Sequence, residues 1–138
     1  MQPERGRIVT AGDAGTGNGQ AAAACTGLVY DEAYLDHDTG PAHPETSARL
    51  QAMMDHFEEE GLLQRLHRVE PRAAPEECIT AIHSPDYVRE VEQTCSRGST
   101  TLHSLDTRVC ARSFDVALLA AGGVMAAVDS VIGEDVDN

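Results

Sequence analysis

Residues Val116 to Val128 read VALLAAGGVMAAV, an apolar run without a single charge. Ser113 is placed to cap the helix that this run predicts, Asp115 falls in its first turn, and Gly133-Glu134-Asp135 ends it. A helix apolar round most of its circumference is expected to be buried on most sides. The adjacent Gly122 and Gly123 each cost such a helix roughly 1 kcal/mol relative to alanine, so another element should approach closely there. The run is shorter than the ~20 residues that cross a bilayer, so a core helix is expected rather than a membrane anchor.

Such a helix needs a sheet to cover it, and strands are scarce. GLVYD gives one short apolar, β-branched and aromatic run, predicted as a strand over Leu28 to Asp31. HRVEP, residues 67 to 71, is the second candidate. Two strands are too few for the burial the last helix demands. The expectation is that partners supply the rest, or that the chain is cut from something longer.

The remaining pattern is mostly helical. Residues 1 to 26, with GDAGTGNGQAAAAC, have no hydrophobic period and read as a disordered leader, with a folded part over 27 to 138. Thr46 or Ser47 can cap a helix in which Leu50, Met53, Met54 and Phe57 recur at helical spacing and which Gly61 ends. Pro75-Glu76-Glu77 opens a short helix with Ile79 and Ile82 as its buried side. Ser84-Pro85-Asp86 restarts a helix with Tyr87, Val88 and Val91 inward, and Gly98 to Thr107 reads as a loop.

Charge and cysteine usage narrow the function classes. The formal charge is -13 and every one of the 10 basic residues is arginine. A surface this acidic repels phosphate backbones, which argues against nucleic acid as a partner; an amine-bearing substrate would be attracted. Cys25, Cys78, Cys95 and Cys110 include no C-x-x-C pair, so no zinc ribbon or thioredoxin-like motif is expected. Scattered thiols without a signal-type N-terminus point to a reducing, cytoplasmic setting.

DHDTGPAHPE, residues 36 to 45, concentrates Asp36, His37, Asp38, His43 and Glu45. On an extended chain, Asp36 and Asp38 could converge but His37 would point away. A hydrolytic zinc site needs three protein ligands and an open position, and no H-E-x-x-H occurs. The cluster therefore reads as a polar loop leading into a helix, with a small metallohydrolase using His37 and His43 as the rival. His83 is expected as a packed or capping residue, and His56 and His67 as surface positions. There is no G-x-S-x-G and no phosphate loop. From the residues alone, the chain is a soluble acidic α/β piece without visible catalytic machinery.

From Thr26 onward, TGLVYDEAYLDHD, HPETSARL, AIHSPDYV, LDTRV and SFDVALLAAGG together resemble the zinc-dependent histone deacetylase superfamily. The resemblance is to its class II-like bacterial and archaeal members, acetylpolyamine amidohydrolases and acetoin-utilisation proteins. It covers most of this chain and only the opening part of the family's catalytic domain. It implies the N-terminal part of the three-layer α/β/α arginase–deacetylase fold. It also implies a parent enzyme that uses Zn2+ to hydrolyse acetyl-lysine or acetylated amines, with a noncatalytic interaction module of the same fold as the alternative.

The family's paired histidines, zinc ligands and oxyanion-stabilising tyrosine have no counterparts in this chain, so no catalytic or metal residue is assigned and the chain alone is expected to be inactive. What the resemblance implies here is a pocket rim. His43, Pro44 and Glu45 match the loop at the mouth, and Arg49 matches an arginine behind the pocket floor, with a helix-surface ion pair as its alternative. Asp106 matches an aspartate that, in some relatives, hydrogen-bonds the substrate backbone. Arg108 stands near where the pattern has a proline. The short apolar run predicts no membrane partner, and the sequence leaves the oligomeric state open.

Overall fold

The computed structural model describes residues 24–138. The leader expected over 1 to 26 lies outside the described residues as far as position 23. Cys25 and Thr26 are hydrogen-bonded: the Cys25 carbonyl accepts from Asp137 N (2.8 Å) and the Thr26 carbonyl from His67 N (2.9 Å).

Strand β1, Gly27–Val29, pairs in parallel with β2, His67–Val69, in the register Gly27↔His67, Leu28↔Arg68, Val29↔Val69. Val136 to Asn138 run along the other side of β1, where Gly27 N donates to the Asn138 carbonyl at 2.7 Å. Val136 is buried. β1 stops two residues short of the expected Asp31. Asp31 instead caps a 3-10 turn, Glu32–Asp36, its Oδ1 accepting from Ala33 N at 2.8 Å. A short carboxylate that bonds its own neighbouring backbone takes the chain out of an extended ladder. β2 likewise ends before the predicted Glu70-Pro71.

Helix α1 spans Ser47–Glu59 with Thr46 at the N-cap, although no side-chain cap bond forms there. Gly61, at φ +66°, ends its turn in the left-handed conformation that glycine adopts freely. Leu50, Met54 and Phe57 are half-buried, whereas Met53 is exposed, contrary to expectation; it falls at the edge of the stripe the other three define. α2, Glu76–Thr80, ends before Ile82, which is 82% exposed rather than buried because it sits in the turn between helices. α3, Pro85–Ser96, is capped by Ser84 Oγ, which accepts from Tyr87 N. Tyr87 does not point fully inward: it lies partly exposed between the rings of His83 and His103, at 5.6 and 5.9 Å.

The segment expected as a loop over Gly98 to Thr107 is a hairpin. β3, Thr101–Leu102, pairs antiparallel with β4, Ser104–Arg108, and the chain reverses at His103 with φ +58°. No Asn-Gly or Asp-Gly signal marks that turn, which is why the residue pattern hides it. Leu102, Val109 and Cys95 form a small core, with Val91 and Phe114 packed against it.

Helix α4, Ser113–Ile132, packs on β1, β2, the 3-10 turn and α3. The close approach demanded by its glycines is real. A Cβ on Gly122 would stand 1.7 Å from the Arg72 carbonyl oxygen, and one on Gly123 would stand 2.8 Å from Val29 Cγ1 and 2.7 Å from Tyr34 Oη. Through this notch Ala74 N donates to the Leu118 carbonyl at 2.9 Å. The expected burial on most sides is not found: Val124 is 66% exposed and Ile132 76%. Gly122 and Gly123 are buried at the contact, whereas the large side chains after them, Val124, Val128, Val131 and Ile132, are exposed, so the contact is close but narrow. At 20 residues α4 is longer than the apolar run and is long and apolar enough to cross a bilayer by length and composition. Its glycine side is nonetheless seated on the chain that follows β2.

Cys95 is 1% exposed, and burial first of all pushes its thiol above the ordinary value. A raised acid favours the fold below its unfolded pKa, and that contribution is lost as pH rises through the folded one. The urea midpoint is therefore expected to fall in alkali, and to fall less in Cys95→Ala when both proteins are titrated from neutral pH upward.

Candidate functional site

The loop between the 3-10 turn and α1 meets the β3–β4 hairpin and the start of α4. Gly40, at φ +86°, turns the loop, with Gly40 N bonded to Asp38 Oδ1 at 2.8 Å. The buried Thr39 hydroxyl donates to the Glu45 carbonyl, closing the loop on itself.

His43 ties this loop to the hairpin. Its Nε2 lies 3.2 Å from the Asp106 carbonyl oxygen, and its Nδ1 lies 3.2 Å from Glu45 N. Nδ1 also lies 3.3 Å from the Glu45 carbonyl oxygen, so the ring bridges the two segments through both of its nitrogens. The ring is 17% exposed. The Asp106 carboxylate beyond it is fully exposed, 4.0 Å from Nε2. The structure thus brings the His43-Pro44-Glu45 loop against Asp106 of the hairpin. Arg49 makes the ion pair expected as its alternative: its guanidinium, exposed on α1, pairs with Glu45 just before the helix. Exposed pairs of this kind contribute little, so Arg49→Ala is expected to shift stability by less than about 1 kcal/mol in urea denaturation.

A second node lies beneath the rim. Ser113 Oγ accepts from Cys110 N at 2.8 Å and lies 2.7 Å from His37 Nδ1. Cys110 Sγ accepts from Asp38 N at 3.4 Å and donates to the Asp36 carbonyl at 3.3 Å. Burial pushes the Cys110 thiol up, but hydrogen bonds from the Ser113 hydroxyl and from the Asp38, Arg112 and Ser113 amides outweigh it and leave the thiol below its ordinary value. Residue patterns missed this node. Ser113 reads as a helix cap, yet Arg112 holds the cap position and the serine reaches back to the loop instead.

The donors between Asp36 and Glu45 do not fit a metal. The Asp36 carboxylate faces Arg112 at 3.5 Å, His37 is held by Ser113, Asp38 by Gly40 N, and Glu45 by Arg49. Both nitrogens of His43 are engaged. Among the described residues no three His, Cys, Asp or Glu side chains converge as a metal-binding group.

A short parallel sheet with a helix seated closely against it through a glycine notch defines part of an α/β layer, and the relatives of the chain say which. Residues 43–138 match the histone deacetylase domain. A probable deacetylase of Archaeoglobus fulgidus is 37% identical over 115 residues, which cover 82% of this chain and 32% of that protein. The human polyamine deacetylase HDAC10 is 35% identical over 122 residues, covering 82% of this chain and 18% of that one. The crystal structure of the HDA15 HD domain superposes with a TM-score of 0.75 at 24% identity, over 83% of this chain and 33% of that chain, a likeness of fold. The chain belongs to the histone deacetylase family and has part of the arginase–deacetylase α/β fold. It spans about a third of the length of the archaeal relative.

Proposed function

We propose that this chain forms the substrate entrance of a zinc-dependent deacetylase domain that acts on acetyl-lysine or acetylated amines, in a cytoplasmic setting. The observation that carries the reading is the Asp106 carboxylate, exposed on a hairpin that His43 locks to the neighbouring loop. A carboxylate carried on an anchored hairpin can accept the backbone N–H groups of a substrate and orient its acetylated side chain. His43 positions the hairpin, Pro44 and Glu45 shape the loop, and Arg49 acts only through Glu45. Family membership and the acetylated amine substrate in the name of the HDAC10 relative support the substrate class. The donors here are committed to other partners, so we place the metal and the catalytic groups in residues other than 24–138, and no chemical step is assigned to these.

The test is a titration of the isotope-labelled chain with an acetyl-lysine peptide and its unacetylated twin, alongside an acetate-release assay with and without Zn2+. Shifts at His43 and Asp106 that favour the acetylated peptide, lost in Asp106→Ala, are expected, with no acetate released. Metal-dependent release by the purified chain, abolished in His43→Ala, would overturn the reading and restore a self-contained hydrolase. The exposed Val124, Val128 and Ile132 on α4 favour a second reading, a noncatalytic interaction module. The peptide titration separates the two: a noncatalytic module leaves His43 and Asp106 unmoved by the acetylated peptide, whereas an entrance responds to it.

A further inference from the structure

Arg108 ends β4 and lines two clefts of the rim. One, of about 220 Å³, runs between Thr39–His43 and Leu105; the other lies between Gly40 and Ser99. Its Nη2 would come within 3.7 Å of a Cβ placed on Gly40, so the guanidinium lies along the turn of the mouth loop. Of the described arginines, Arg49, Arg68, Arg89 and Arg112 pair with carboxylates. Arg65, Arg72 and Arg97 have no such partner and are exposed. Arg108 is the one described arginine that is half-buried, and it too has no carboxylate within 4.0 Å among the described residues. Asp38, the acid that lines the second cleft, already accepts from Gly40 N.

A guanidinium withdrawn from water without a counter-charge is unfavourable, and a planar carboxylate is the group that matches its paired donors. The first cleft contains no acid and opens beside Leu105, which is 85% exposed and adjoins Asp106. We infer that Arg108 is a specificity-determining residue that takes a carboxylate carried by the acetylated substrate in the cleft between Thr39–His43 and Leu105. The inference rests on the entrance reading above. In a chain of charge -13, one unpaired cation at the mouth selects acids placed next to the acetylated amine rather than anions in general.

The experiment uses the labelled 138-residue chain and two acetyl-lysine peptides that differ only in Asp or Asn beside the acetylated residue, observed at the Arg108 Nε–H and the His43 ring. The Asp peptide is expected to bind roughly fivefold tighter in low salt, to move Arg108, and to lose its advantage in molar salt. Arg108→Gln should equalise the peptides, and Arg108→Lys should restore the preference only in part. Equal affinities with His43 moving in both overturn the inference and leave the entrance reading intact. Free acetate moving Arg108 as much as the Asp peptide does also overturns it, as a general anion site. A rim that responds to neither peptide overturns both.

Discussion

Gly122→Ala is expected to abolish the native fold or to cost at least about 3 kcal/mol, the upper range for overpacking. The new methyl would stand 1.7 Å from the Arg72 carbonyl and 2.7 Å from Ala74 N, and both are backbone. Neither can rotate away, so the chain after β2 must leave the helix and the bond from Ala74 N to the Leu118 carbonyl goes with it. Helix propensity argues the other way by roughly 1 kcal/mol, and the clash exceeds it. Ala120→Gly, on the exposed side of the same helix, is the control and should lose only about 1 kcal/mol. Urea denaturation of the three proteins decides the matter. A stabilised Gly122→Ala would show that α4 does not sit on the sheet as described.

Ser113→Ala is expected to lose about 1–3 kcal/mol, because it leaves Cys110 N and His37 Nδ1 without their common partner. The Cys110 thiol should rise toward its ordinary value, since the serine hydroxyl is the first of the groups that lower it against burial. The sign of the pH effect follows. A depressed acid stabilises the fold fully above its unfolded pKa, and that contribution fades as pH falls through the folded one. The gap between the wild type and Ser113→Ala should therefore widen in mild alkali, and the pH profile of Cys110 alkylation should move upward in the variant. An unmoved profile would mean the hydroxyl faces His37 alone.

The two predictions show which features were legible in the residues. The glycine pair was: a doubled helix-weakening residue in an apolar run has a short list of causes, and close approach was the one found. The helices beginning at Ser47, Pro85 and Ser113 were equally readable, because proline, serine and apolar spacing act within one turn. The hairpin was not, since His103 carries a positive φ that its residue type does not announce. The rim residues were named from resemblance; the structure shows that two of them, His43 and Asp106, meet. Their geometry was not readable, because the two lie far apart along the chain and nothing local records which atom of one faces the other.

The sequence by itself determined the helices, the acidic charge, the glycine notch and the family, since each depends on neighbours in the chain or on a pattern of residue types. Only the tertiary structure decided that α4 leaves Val124, Val128 and Ile132 exposed, that Ser113 serves the loop rather than its own helix, and that Arg108 lies half-buried with no carboxylate partner among the described residues. Those facts depend on which surfaces pack together, and packing is a balance over the whole chain that no single segment contains.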